Sequence, residues 1–272
     1  STQGYSSAAS DVYKRQIYGR LGLSWNKMLY AEFTGRNDWT STLPSSTRSY
    51  FYPSISGSFV ISELLPQTKD WLDLLKVRSS WTLTKTPPTV YAINSDFDIY
   101  SDTWNGMTGA GYPGRRYPLD VLPQSASTYE VGLQGIFFKN RLSVDLTYYS
   151  KRSFDLLKEA QTSPTTGYTS NYINIDEERT RRGFEIALGG TPIRTKDWEW
   201  NINTNWSTSA SYYTKLDETY SEKKPWVKVG ERTDAFVSRD FVRDPEGNLV
   251  FSNGRLQIHP YTCLLYTSPS PR

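Results

Sequence analysis

The sequence predicts an all-β chain: an antiparallel up-and-down meander of about eight long strands, forming wall from a transmembrane β-barrel. Three observations predict it. Apolar residues recur with period two, not 3.6, so one face of each segment is apolar and the other polar. The connections alternate between short and long, as when short turns gather at one end of a barrel and long loops at the other. Aromatic residues make up 15% of the 272-residue chain, yet no run approaches the roughly 18 apolar residues of a spanning helix.

The strands follow in order. Ile17–Trp25 and Leu29–Arg36 flank the turn residues Asn26 and Lys27. Arg48–Ile61 follows a longer connection, and Leu75–Thr84 comes after a link with Pro66 and a short helical turn. Lys85–Ala126 is a very long loop, after which Ser127–Phe137 and Arg141–Phe154 flank Lys139-Asn140. Asp155–Arg179 is long, Thr180–Gly189 is a strand, and Gly190–Asp197 is a link containing Pro192. Trp198–Tyr212 is the last strand, and the remainder reads as irregular. Trp25, Phe137, Phe138, Trp198 and Trp200 sit beside the short turns, where an interfacial aromatic girdle would lie.

The alternation assigns faces. Leu142, Val144, Leu146, Trp200 and Ile202 are expected to face lipid. Ser143, Asp145, Thr147, Asn201, Asn203 and Asn205 are expected to face a wet lumen, because hydrocarbon cannot solvate an amide or a carboxylate.

Composition excludes several activities. One His (His259) and one Cys (Cys263) leave no multi-histidine metal site, thiolate zinc site or disulfide framework. The net charge is +3 with both signs well mixed, so no nucleic acid partner is expected. Asp96, Asp98 and Asp102 do not meet the calcium-loop pattern and read as solvated loop acids. No catalytic residue, metal or cofactor is expected. Gly106-Met-Thr-Gly-Ala-Gly111 neither follows a strand nor opens a helix, so it reads as a flexible loop and not a phosphate loop. Tyr91, Phe97, Tyr100, Trp104, Tyr112 and Tyr117 stand among Asn, Asp and Arg in the longest loop and are the candidate ligand contacts. Arg179, Arg181 and Arg182 read as a solvated or lumen-facing cluster.

The ends look foreign. Asp11–Gln16 and Cys263–Arg272 both resemble translated sequencing-adapter read-through. The expected organisation is a non-native leader over 1–16, a partial barrel over 17–258 and a non-native tail over 259–272, the whole being a fragment of a longer protein.

Residues 17–258 resemble the C-terminal barrel of the SusC/RagA family of TonB-linked outer-membrane transporters. The resemblance rests on Gly19-Arg20-Leu21-Gly22 before Asn37-Asp38, and on Tyr52-Pro53-Ser54 followed by Ile61-Ser62-Glu63. It continues through Leu74-Leu75-Lys76-Val77-Arg78-Ser79-Ser80-Trp81 and Tyr129-Glu130-Val131-Gly132-Leu133. Asn140-Arg141-Leu142, Gly183-Phe184-Glu185, Trp198-Glu199-Trp200 and Lys228-Val229-Gly230-Glu231 complete it. Arg232 stands where the family has proline, and Asn37-Asp38-Trp39 lacks its glycine. The resemblance implies an open segment of a larger barrel in a Bacteroidota-like Gram-negative outer membrane. It implies import of an oligosaccharide or peptide ligand. The implied partners are outer-membrane lipid and, through parts outside this chain, a SusD-like surface lipoprotein and TonB. A soluble β-rich carbohydrate-binding module, a siderophore- or vitamin-type TonB-dependent receptor and a glycan-degrading enzyme are the alternatives.

Overall fold

The computed structural model describes residues 13–89, 92, 97–116, 120–238, 241–258 and 262–265. Eight long strands form one antiparallel sheet in sequence order: β1 (Lys14–Trp25), β2 (Leu29–Thr40), β3 (Ser49–Val60), β4 (Leu72–Thr86), β5 (Gln124–Phe137), β6 (Leu142–Phe154), β7 (Glu178–Arg194) and β8 (Glu199–Lys215). The sheet is open, with β1 and β8 at its two edges. The predicted meander of eight strands is thus the observed one, and most strands run further than their sequence patterns.

Backbone chemistry fixes the short end. Asn26 and Lys27 both take positive φ (50° and 56°), as a type I′ turn requires, and the amide of Met28 closes the turn on the carbonyl of Trp25 at 3.0 Å. Phe138, Lys139 and Asn140 are all left-handed between β5 and β6. Two short 3₁₀ turns, Ile61–Leu64 and Pro66–Thr68, join β3 to β4. The predicted link Gly190–Asp197 is corrected. The strand continues through it to Arg194, with a register shift between Gly190 and Ile193. Pro192 lies inside the shift, where a residue without an N–H costs no ladder bond.

The long end is more structured than its sequence suggests. Within the long loop, Asp98–Trp104 and Met107–Gly111 pair as a hairpin. Between β6 and β7, Leu156–Gln161 pairs with Ser170–Ile175, and Arg115–Arg116 joins that strand in parallel. The supposedly irregular remainder contains Phe236–Ser238 paired with Thr262–Leu265, and Phe251–Ser252 paired with Arg255–Leu256. It also returns to the sheet: Thr233 donates to the carbonyl of Ser211 and Gly230 to that of Tyr213, covering the outer end of β8.

There is little conventional core. Leu43, Tyr50 and Val121 are buried together, with Tyr52 and Leu157 against them. This packs three loops onto the long-loop end of the sheet. Thr47 donates to the carbonyl of Val121 at 2.7 Å, and Asn174 bonds both backbone groups of Leu122.

Candidate functional site

Directly paired residues in an antiparallel sheet share a face, and the side-chain period is two. The register therefore sorts the whole sheet. One face carries Arg20, Glu32, Ser56, Lys76, Arg78, Glu130, Asp145, Thr147, Glu185 and Asn205. The other carries Leu21, Phe33, Ile55, Trp81, Leu133, Leu146, Ile186 and Trp206. Sequence reading separated Ser143, Asp145, Thr147, Asn203 and Asn205 from Leu142, Val144, Leu146 and Ile202, and the pairing places these two sets on opposite faces. Asn201 and Trp200 follow the same alternation, because the bulge lies on β7 and leaves β8 unbroken.

The polar face is organised by ion pairs that sequence spacing does not reveal. Arg78 on β4 reaches across β5 to Asp145 on β6, with nitrogen–oxygen distances of 2.7 and 2.9 Å, and also donates to Thr147 Oγ1 at 2.7 Å. Gly132 makes this possible. A Cβ there would lie 2.4 Å from Arg78 Nε and 2.9 Å from its Cγ. In the same way the Tyr149 ring lies across Gly183, where a Cβ would sit 2.4 Å from its hydroxyl. Arg20 pairs with Glu32 at 2.5 Å. Two troughs lie along this face. One, of about 520 Å³, is lined by Arg20, Glu32, Lys76, Arg78 and Glu130 among serines. The other, of about 410 Å³, is lined by Arg78, Asp145, Thr147, Glu185 and Asn205. At the long-loop end, Asp38 is 1% exposed. It accepts two bonds from Arg36 (2.7 and 2.9 Å) and one from Tyr52 (2.7 Å), with Lys14 Nζ at 3.5 Å.

The apolar face is bare. Leu142 is 37% exposed, Ile202 42%, Trp206 53% and Trp200 56%. An aromatic line crosses it diagonally through Trp39, Phe51, Trp81, Tyr129, Tyr148, Phe184 and Trp206. At the short-turn end, Trp71 stacks on Phe137 with ring centroids 6.3 Å apart, and Phe138 adjoins.

The loop aromatics divide. Tyr91 and Tyr117 lie outside the described residues, as does the side chain of Trp104. Phe97 and Tyr112 pair at 5.2 Å at the base of the hairpin. Tyr100 lies across Gly109 and Gly111, where a Cβ would approach its ring and hydroxyl to 3.0 and 2.4 Å. Phe97, Ile99, Tyr100, Met107 and Tyr112 are all exposed. The glycine run is thus not a flexible loop. Asn105 (φ 49°) and Gly106 (φ 78°) form the hairpin turn, and the other two glycines make room for a tyrosine ring. The Asn-Gly pair was the available signal.

The three arginines do not cluster. Arg179 pairs with Glu177 and lies over the Tyr213 ring, Arg181 bonds Ser209, and Arg182 projects from the opposite face. Beyond the long-loop end of the sheet, burial raises the Asp217 carboxyl, but amide bonds from Asp176, Thr219 and Tyr220 outweigh it and hold the group below the ordinary carboxylate value. Among the described residues no group of three or more His, Cys, Asp or Glu is placed to hold a metal ion. Asp96 and the side chain of Asp102 lie outside them.

A family model described as "TonB dependent receptor-like, beta-barrel" matches residues 1–254. TonB-dependent receptor P26 of Formosa agariphila is 26% identical over 239 residues, covering 83% of this chain and 24% of that protein. TonB-dependent receptor SusC of Bacteroides thetaiotaomicron is 22% identical over 210 residues, covering 73% of this chain and 20% of its own length. The chain therefore spans about a fifth to a quarter of the length of these curated relatives. Among solved structures, the RagAB peptide importer in its open-open state superposes with a TM-score of 0.73 at 22% identity, covering 85% of this chain and 26% of that one.

Proposed function

Because the chain belongs to the TonB-dependent receptor-like β-barrel family, we propose that it supplies eight strands to the wall of an outer-membrane importer. In this reading the apolar face meets lipid and the polar face lines the lumen. The single observation that carries it is the two-faced sheet. A continuous apolar wall stays exposed, while Arg, Asp, Glu, Asn and Ser side chains crowd the opposite side. Water disfavours such a wall, and hydrocarbon favours it. The aromatic diagonal supports the same reading. It descends about ten residues over six strand-to-strand steps, a slope of about 50° from strand spacings of ~3.3 and ~4.8 Å. That is close to the ~35–45° tilt of membrane strands.

The proposed cargo is an oligosaccharide or a peptide, passed along a lumen lined by the two troughs, with the exposed hairpin of Tyr100 at the mouth. The proposed partners are a SusD-like surface lipoprotein and TonB. The RagAB neighbour is named a peptide importer and SusC gives its name to one relative, which supports that class. The experiment is a pair of variants in the full-length receptor. Leu146→Arg puts a charge on the apolar face and should cost roughly 2–4 kcal/mol, whereas Thr147→Arg on the polar face should cost far less. Folded barrel yield in outer membranes is the readout. Equal yields, or the reverse order, would remove the reading. Growth of the host on single glycans or peptides then separates the cargo classes.

A further inference from the structure

Beyond the aromatic diagonal, toward the long loops, the outward face changes from apolar to cationic. Lys85 on β4, Arg152 on β6 and Arg182 on β7 all fall on the same face as Trp81, Tyr148 and Phe184. Each stands two to four residues outward of the aromatic on its own strand. The residues between them are hydroxylic: Ser125, Ser127, Ser150 and Thr180. Arg152 is held by Glu178 at 2.6 and 2.7 Å. Lys85 and Arg182 have no carboxylate partner among the described residues, so the belt keeps a net positive charge. Arg182 also lines a cleft of about 290 Å³ with Thr180, Tyr212, Val229 and Gly230. The cleft is built: Thr180 is buried and its hydroxyl is bonded to Thr214 at 2.8 Å.

We propose that this belt binds the phosphate groups of an outer-leaflet lipid headgroup. The inference rests on the reading of the apolar face as lipid-facing. A guanidinium presents paired donors that match phosphate oxygens, and the part-exposed hydroxyls of Ser127 and Ser150 supply further donors, while Ser125 and Thr180 are buried and bonded within the protein. Position argues for a lipid over free phosphate. The cations adjoin the apolar face three strands and four residues apart, roughly 20 Å, so one bisphosphorylated molecule can lay acyl chains on Leu83 and Phe184 and bring one phosphate to Lys85 and the other to Arg182. Free phosphate gains nothing from the apolar surface. Each cation near an anionic lipid surface is worth about fivefold in binding.

The test uses the full-length receptor in nanodiscs of phosphatidylcholine doped with bisphosphorylated lipid A or its dephosphorylated form. Native mass spectrometry reads the lipid retained. The wild type should retain the phosphorylated form several-fold over the other. The double variant Lys85→Gln/Arg182→Gln should lose most of that preference, while Lys151→Gln, at the same level on the polar face, should keep it. No preference in the wild type, or a preference that survives the double variant, overturns the proposal. So does displacement of the phosphorylated lipid by inorganic phosphate alone, which would mark a simple anion site. All variants are first checked for barrel assembly by their heat-shifted gel band. A retained order of Leu146→Arg below Thr147→Arg, with no lipid preference, would refute the belt and leave the membrane reading standing.

Discussion

Replacing Gly132 by alanine tests how the polar face holds itself together. The new methyl would fall 2.4 Å from Arg78 Nε, 2.9 Å from Cγ and 3.0 Å from Cζ. Contact with Cγ cannot be relieved by swinging the guanidinium alone, so the side chain must leave the path over β5. That removes its bonds to Asp145 and Thr147, at 2.7–2.9 Å. Both partners are partly exposed, 40% for Arg78 and 31% for Asp145, so the pair is worth only about 1 kcal/mol. Alanine itself is better than glycine in a strand by roughly 0.5–1 kcal/mol. The single variant should therefore be near neutral or mildly destabilising, and the informative quantity is the coupling. With Arg78→Ala already in place, Gly132→Ala should become stabilising, giving a coupling of about 1 kcal/mol. Urea unfolding of the full-length receptor in vesicles, followed by tryptophan fluorescence, measures the four states of the cycle. If Gly132→Ala has the same effect in both backgrounds, Arg78 does not depend on the gap and the account of the polar face is wrong.

Three further outcomes are expected. Lys27→Gly creates an Asn-Gly turn where both residues have positive φ, and should stabilise the β1–β2 hairpin by about 1 kcal/mol; a lower unfolding midpoint would contradict the turn assignment. Gly111→Val should drive the Tyr100 ring off the hairpin and increase backbone hydrogen exchange across 98–111 with the sheet unchanged; unchanged exchange there would show that the ring is not seated on the glycines. The Asp217 carboxyl is depressed in the folded state, so its contribution is present above the unfolded value of about 4 and is lost as pH falls through the folded one. Amides of Asp176, Thr219 and Tyr220 should thus lose exchange protection in acid before the strands do, and Asp217→Asn should remove that pH dependence; protection independent of pH would refute the role of the carboxylate.

Strand existence, order and facing were legible in the sequence because they are local. A period of two needs only the pleat, and short turns announce themselves through Asn26-Lys27 and Lys139-Asn140. The opposed sets around Leu146 and Thr147 follow from the same alternation. Strand ends were less legible, since β2 and β4 continue as long as a neighbour offers hydrogen bonds, whatever their polarity. The hairpin at Asn105-Gly106 carried a local signal that its glycines obscured. What only the tertiary structure decided is everything that depends on register between distant segments. Arg78 and Asp145 are 67 residues apart and meet because β5 places a glycine between them. Arg179, Arg181 and Arg182 look like one cluster in the sequence, but two serve the polar face and one the other. Lys85, Arg152 and Arg182 come to one face, within four residues of height, only because the register across β4, β5, β6 and β7 sets them there. Pairing register is a property of the whole sheet, and one residue of slip would exchange every one of these partners.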